Sequence, residues 1–246
     1  MLYQYDGSLD GLLCTADEVI GGNVTDYSIA SENCQLSLFD NFFRIASDPA
    51  RAEKFWNRLD SVLENDSMQR IVYCHMSEAE GYERHLVEYL RLGMKLGPSL
   101  DSFHADTNVG HVLTLSRKFG RELHAYKGLC RFRKLEGDIY YAPIEPECNI
   151  IQSLAEHFRC RLAVQKWLIH DIRRGLAVYW DMKSLHDVET DLHPSAGQDA
   201  GTDDEKLYAD MWRTFHRTIA IKERENPNLQ RQNMPKRYWK YLTEKM

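Results

Sequence analysis

The 246-residue chain reads as an α+β protein. Its first half is largely helical. An antiparallel sheet of β-β-α-β-β order follows, then a C-terminal helix and a basic tail. Three observations predict this. Apolar residues recur every three or four positions from about 48 to 126. The period switches to two after Leu129. Beyond Asn226-Pro227 the periodicity gives way to cations and aromatic rings. The length suits one domain over 1–246, with 1–126 and 127–246 as an alternative subdivision.

Taken in order, Tyr3-Gln4-Tyr5 is a short strand, and Asp6-Gly7-Ser8 turns it into a helix capped by Ser8 or Asp10. That helix runs to about Val19 and ends at Gly21-Gly22. Residues 23–37 are polar and read as loop; Leu38-Phe39 and Phe42 to Ile45 read as a strand region. Asp48-Pro49 starts a helix, with Asp as cap and Pro in the first turn. Ala52, Phe55, Trp56, Leu59 and Val62-Leu63 form its apolar face. Further helices are predicted over 67–77 and 79–96, the latter burying Leu86, Tyr89, Leu90 and Gly93 and stopping at Gly97-Pro98. Residues 109–126 form a long helix with Val112, Leu115, Phe119, Leu123 and Tyr126 on one side.

A hairpin over 130–142 then turns at Glu136-Gly137-Asp138. Asn149 caps a helix through Phe158, and a second hairpin pairs 167–171 with 176–180 around Arg173-Arg174-Gly175. Residues 184–205, acidic and bearing Gly, Ser and Pro, read as a mobile loop. A last helix from Asp203 to Arg224 is expected to bury Leu207, Met211, Trp212, Phe215 and Ile219. Asn226-Pro227 breaks it.

Composition narrows the function. No stretch approaches the ~20 apolar residues of a membrane span, and the first residues lack the features of a signal peptide. Six scattered cysteines without a CxxC pair predict the reduced thiols of a cytoplasmic protein. No HExxH, deaminase, GxSxG or P-loop motif is present, so neither a metal nor a cofactor is expected from local motifs. A metal site assembled from distant cysteines stays open.

The net charge of −6 conceals an asymmetry. Residues 1–40 and 184–205 each hold seven acids and no Lys or Arg. Residues 117–134 hold seven bases and one acid, and 217–246 hold eight bases against three acids. Two basic islands in an acidic chain predict a localised anion-binding face.

The first island supplies Lys127, Arg131 and Arg133. In a strand the two arginines share a face, about 7 Å apart, near the spacing of successive phosphates. Arg173 and Arg174 sit at a hairpin tip. The tail supplies Gln230, Arg231, Gln232, Lys236, Arg237 and Lys240 with Tyr238 and Trp239: cations for phosphates, amides for base edges, rings for stacking or for docking the tail. The candidates for acid-base chemistry are His157, His170 and Asp171. Adjacent strand residues point to opposite faces, so His170 and Asp171 are not expected to touch.

Several stretches carry a family resemblance: Tyr3 to Ser8 with Gly11-Leu12-Leu13, Tyr89 to Gly93, Lys127 to Arg133, Trp167 to Asp171 with Arg174-Gly175, and Asn226 to Tyr241. The tail, of the form N-P-x-L-Q-x-x-x-M-P-x-R-Y-W, is the most specific. The chain resembles an uncharacterised bacterial family linked to DNA metabolism and repair. A related domain occurs fused to X-family uracil-DNA glycosylases, and members sit beside a radical SAM protein. The resemblance implies a role on DNA and a radical SAM partner, and supplies no catalytic residue. The acidic 184–205 segment is where this chain departs from the pattern. Three readings follow: a DNA-binding repair protein acting with a partner enzyme; an enzyme acting on a damaged base through His157 or His170; and a protein-interaction module without DNA affinity.

Overall fold

In the structure, a computed structural model, residues 1–32, 42–135, 138–189, 203–219, 221, 224 and 226–245 are described. The chain divides into two compact units, Met1–Gly120 and Arg121–Met246. The fold is α+β.

In the first unit, β1 (Leu2–Tyr5) is the central strand of a three-stranded sheet, flanked by β2 (Ser28–Ser31) and β3 (Phe42–Arg44), all parallel. β2 falls within the stretch expected to be loop. Residues 33–41, including Leu38-Phe39, lie outside the described residues. The intervening α1 (Leu9–Gly21) makes β1 and β2 parallel, because a helical crossover returns the chain to the same sheet end. Ser8 caps α1 by accepting the Gly11 amide at 2.9 Å, and Asp6 in turn accepts the Ser8 amide and hydroxyl.

α2 (Pro49–Asp60) starts as its sequence predicts, with Asp48 accepting the amides of Ala50 and Arg51. It buries Ala52, Phe55 and Leu59; Trp56 is only partly covered and Val62 is exposed. Arg51 and Arg58 reach Asp17 of α1, and Arg51 also reaches Glu18. α3 (Asn65–Met76) and α4 (Tyr82–Leu96) follow, and Leu86, Tyr89, Leu90 and Gly93 of α4 are buried as their spacing requires. Gly97, at φ +56°, ends α4 where a side chain would strain the backbone. The long α5 (Thr107–Leu129) buries all five predicted positions, Val112, Leu115, Phe119, Leu123 and Tyr126.

The second unit holds a five-stranded sheet in the order β4-β5-β6-β7-β8: β4 (Arg133–Lys134), β5 (Ile139–Ile144), β6 (Lys166–Asp171), β7 (Leu176–Trp180) and β8 (Leu185–Glu189). Two expectations are corrected. The sheet is mixed, because β5 and β6 run parallel on either side of α6 (Ile151–Arg161); the other pairs are antiparallel. Its sequential order is β-β-α-β-β-β, since β8 lies inside the acidic segment read as loop. Residues 136–137 of the first hairpin turn and 190–202 of the acidic segment lie outside the described residues. α6 covers the sheet with Ile151, Leu154, Ala155 and Phe158, against a core that includes Trp167, Ile169, Val178 and Trp180. The Trp180 indole donates to the Ala163 carbonyl at 3.1 Å.

α7 (Asp203–Ile219) forms where a helix is predicted but does not bury the predicted stripe. Leu207, Met211, Phe215 and Ile219 are 59, 58, 53 and 58 % exposed, and Trp212 is 41 % exposed. The tail is also more ordered than its composition suggests. Asn226-Pro227 starts a helix, α8 (Pro227–Asn233), with Asn226 accepting the Leu229 amide at 3.0 Å. Two 3₁₀ turns follow, Lys236–Tyr241 and Thr243–Lys245. Among the described residues no helix is long and apolar enough to cross a membrane.

Candidate functional site

The first basic island leads to a groove of about 340 Å³ in the second unit. Lys127 enters it from the last turn of α5, Arg131 and Phe132 from the link into β4, Tyr140 from β5, and Phe158 and Arg161 from the end of α6. No residue lining the groove is acidic. Phe132 meets Phe158 edge to face at 4.8 Å and also contacts Trp167, so this wall is braced by the sheet core. Arg131 is itself held: its guanidinium donates to the Gly128 carbonyl at 2.8 Å and to both oxygens of Glu244, at 2.6 and 3.3 Å. Glu244 is nearly buried, and Arg131 also lies 5.9 Å from the Trp212 ring. Among the described residues, no carboxylate holds Lys127 or Arg161.

His157 stands on α6 beside this groove, its ring edge-on to Phe158 at 5.0 Å. Burial lowers its pKa, and Lys127 and Arg161 lower it further. The imidazole is therefore neutral at pH 7. Its Nε2 is buried and has no hydrogen-bond partner among the described residues.

The other histidine candidate has a different setting. His170 is buried on β6 and shares a 2.9 Å hydrogen bond with the Tyr141 hydroxyl; burial lowers its pKa. Asp171 organises the β6–β7 turn. It accepts the Arg173 and Arg174 amides at 3.1 and 3.3 Å and the Arg174 guanidinium at 2.8 Å. Burial raises the Asp171 pKa and Arg174 pulls it back. Neither His170 nor Asp171 lines the groove, and no hydrogen bond joins them. Arg174 is fixed further by the carbonyls of Pro146 and Glu147, which leaves it 10 % exposed. Arg173 is exposed at the turn.

The tail candidates divide the same way. Arg237 pairs with Glu147 at 2.7 Å, and Lys240 and the Tyr241 hydroxyl both meet Glu145. Burial opposes ionisation of Glu145, but Lys240 and Tyr241 outweigh it and hold its pKa below the ordinary value. Tyr238 is buried edge-on to Tyr126 at 5.2 Å, so its ring anchors the tail. The Trp239 indole donates to the Met234 carbonyl at 2.9 Å, with Lys245 over its ring. Gln230, Arg231, Gln232 and Lys236 are exposed, Arg231 bonding within α8 to Pro227 and Asn228. Arg133 lies half-buried in β4, with Glu205 and Arg213 contributing to its electrostatics. The groove thus joins Lys127 and Arg131 from the predicted set, and adds Arg161 and Tyr140. The basic end of α6, Arg159-Cys160-Arg161 after Phe158, was the legible sign of Arg161.

Sequence reasoning also missed a buried polar chain in the first unit. The Tyr82 hydroxyl lies 2.7 Å from His75 Nδ1 and 3.2 Å from the Tyr5 hydroxyl, which donates to Glu83 at 3.4 Å.

Residues 80–244, more than half the chain, match the family described as Domain of unknown function (DUF4130), and the chain belongs to that family. None of the curated proteins compared with the chain matches it.

Proposed function

We propose that the chain binds nucleic acid through the groove of Lys127, Arg131 and Arg161, and that it serves DNA metabolism or repair beside a radical SAM enzyme. One observation carries the binding reading: three cations and the rings of Phe132 and Tyr140 line one groove, and among the described residues only Arg131 of the three cations is paired with a carboxylate. Cations of this kind neutralise phosphates, and an adjacent ring gives an unstacked base a surface. The link to DNA repair and to a radical SAM partner, as to the domain fused with uracil-DNA glycosylases, rests on the sequence resemblance. A cytoplasmic location fits such a role.

The test is binding to single-stranded and duplex oligonucleotides across a salt series. Affinity is expected to fall steeply with salt. Replacing both Lys127 and Arg161 by Ala removes two phosphate contacts and should flatten the log–log slope by about 1.5. Unchanged affinity and slope in that double variant would remove the groove from the interface.

A second reading is favoured by His157, a neutral imidazole with a free buried nitrogen beside the cations. It makes the chain an enzyme on a damaged base, with His157 as general base. That reading requires turnover of lesion-bearing DNA by the purified chain, lost in His157→Gln while DNA binding persists. Absence of turnover with the native residue present would leave the binding role alone.

A further inference from the structure

The exposed face of α7 has a pattern of its own. Leu207, Met211, Phe215 and Ile219 recur every four residues, and Tyr208 and Trp212 widen the stripe along one side. All six side chains are between 41 and 66 % exposed. The helix meets the Thr243–Lys245 turn through other contacts: Arg213 donates to the Thr243 carbonyl, and the Trp212 indole donates to Glu244 at the stripe's edge. What remains is an apolar strip about 18 Å long, from the helical rise per residue. A patch of this kind on a folded chain marks an interaction surface.

We propose that a second copy of this chain covers the strip, with two α7 helices pairing antiparallel about a two-fold axis near Arg213. The sequence of the strip is self-complementary about that residue. Leu207 and Ile219 are equidistant from Arg213, as are Met211 and Phe215, so each apolar residue meets another across the axis. The large rings find small partners in the same register: Tyr208 faces Thr218, and Trp212 faces Thr214. Thr214 and Thr218, with Met211 and Phe215, already line a shallow groove along α7 that can receive those rings.

Charge selects the same orientation. Glu205 and Asp210 lie in the first half of α7, and Arg213 and Arg217 in the second; within one copy Asp210 pairs with Arg213, which leaves Arg217 as the cation for the other copy's Asp210. Antiparallel pairing sets acidic half against basic half and brings Asp210 of one copy near Arg217 of the other. Parallel pairing would set Asp210 against Asp210 and Arg217 against Arg217. A partner of unrelated sequence would not require the mirror relation of rings and threonines.

Sedimentation velocity on the full chain, from low concentration up to about 100 μM, is the first measurement, a range that suits a two-helix contact smaller than a standard interface. A dimer is expected, and Met211→Glu should abolish it because the new charge would face Phe215 of the other copy. Adding Phe215→Lys to that variant should restore it. Circular dichroism and the thermal midpoint report whether each variant folds; these positions are exposed, so folding should persist.

Register is tested by cross-linking in a background with Cys34→Ser and Cys160→Ser. Leu207→Cys and Ile219→Cys chains, mixed under oxidation, should form a mixed disulfide dimer, while neither alone should do so. A monomer throughout the concentration range, a dimer indifferent to Met211→Glu, or cross-linking of the Leu207→Cys chain with itself would each overturn the proposal.

Discussion

At the scale of single residues, the state of Arg131 depends on Glu244. The carboxylate occupies two of the guanidinium nitrogens. Burial opposes ionisation of Glu244 and Arg131 favours it, with the pKa held below the ordinary value. Glu244→Gln removes the charge and keeps the shape. On the proposed function, oligonucleotide affinity should then rise several-fold at low salt, measured by anisotropy, with a steeper salt slope. A fall in affinity would mean that Glu244 orients Arg131 for binding. Asp171 has a structural part. Asp171→Ala would strand the nearly buried Arg174 and two turn amides, and should cost about 3–5 kcal/mol in a denaturant titration. That His170 and Asp171 do not bond each other followed from strand geometry alone. That Tyr141 takes His170 and Arg174 takes Asp171 did not, because those partners are set by tertiary register.

At the scale of elements, legibility tracks how local the cause is. Asp48-Pro49 announces α2 because the cap and the fixed proline φ act within one turn. Asp48→Ala should therefore lower stability by about 1 kcal/mol, read as a shift in the denaturation midpoint. The buried faces of α4 and α5 were legible for the same reason. The parallel pairing of β5 and β6 was not: β-α-β order permits either a crossover back to the neighbouring position or a return elsewhere. α7 exposes the limit of periodicity. Its stripe at positions 207, 211, 215 and 219 specifies an apolar face and says nothing about what covers it. In the tail, Tyr238 and Tyr241 dock as ring anchors, and the cations around them divide between carboxylate partners and solvent. Composition alone could not make that division.

Across the whole molecule, neutral histidines make stability pH-dependent. Burial depresses the pKa of His111 in the first unit and of His157 and His170 in the second, below the ordinary 6.5. An unfolded chain protonates these rings below about pH 6.5 while the folded chain resists, so folding weakens as pH falls through that value. His170, the most buried, contributes up to about 1.4 kcal/mol for each pH unit below 6.5 until its folded pKa is reached. Burial raises the pKa of Glu83 and Asp171, and their opposite contribution grows as pH falls from those raised values towards the ordinary carboxylate range. Denaturation midpoints at pH 7.5 and 5.5 should differ in that direction, and His170→Gln should shrink the difference. Equal midpoints would contradict neutral burial of these rings. The net charge of −6 coexists with the groove because the acids concentrate elsewhere in the sequence, as the charge runs indicated.

The Arg131–Glu244 contact also sets an order of events during synthesis. Its two residues are 113 positions apart, and Glu145 waits a similar interval for Lys240 and Tyr241. A ribosome that has finished the sheet and α6 has made the groove walls and none of the tail that tempers them. Until Glu244 is made, the nascent chain therefore presents a more cationic groove, and cleavage before Glu244 would return it to that state.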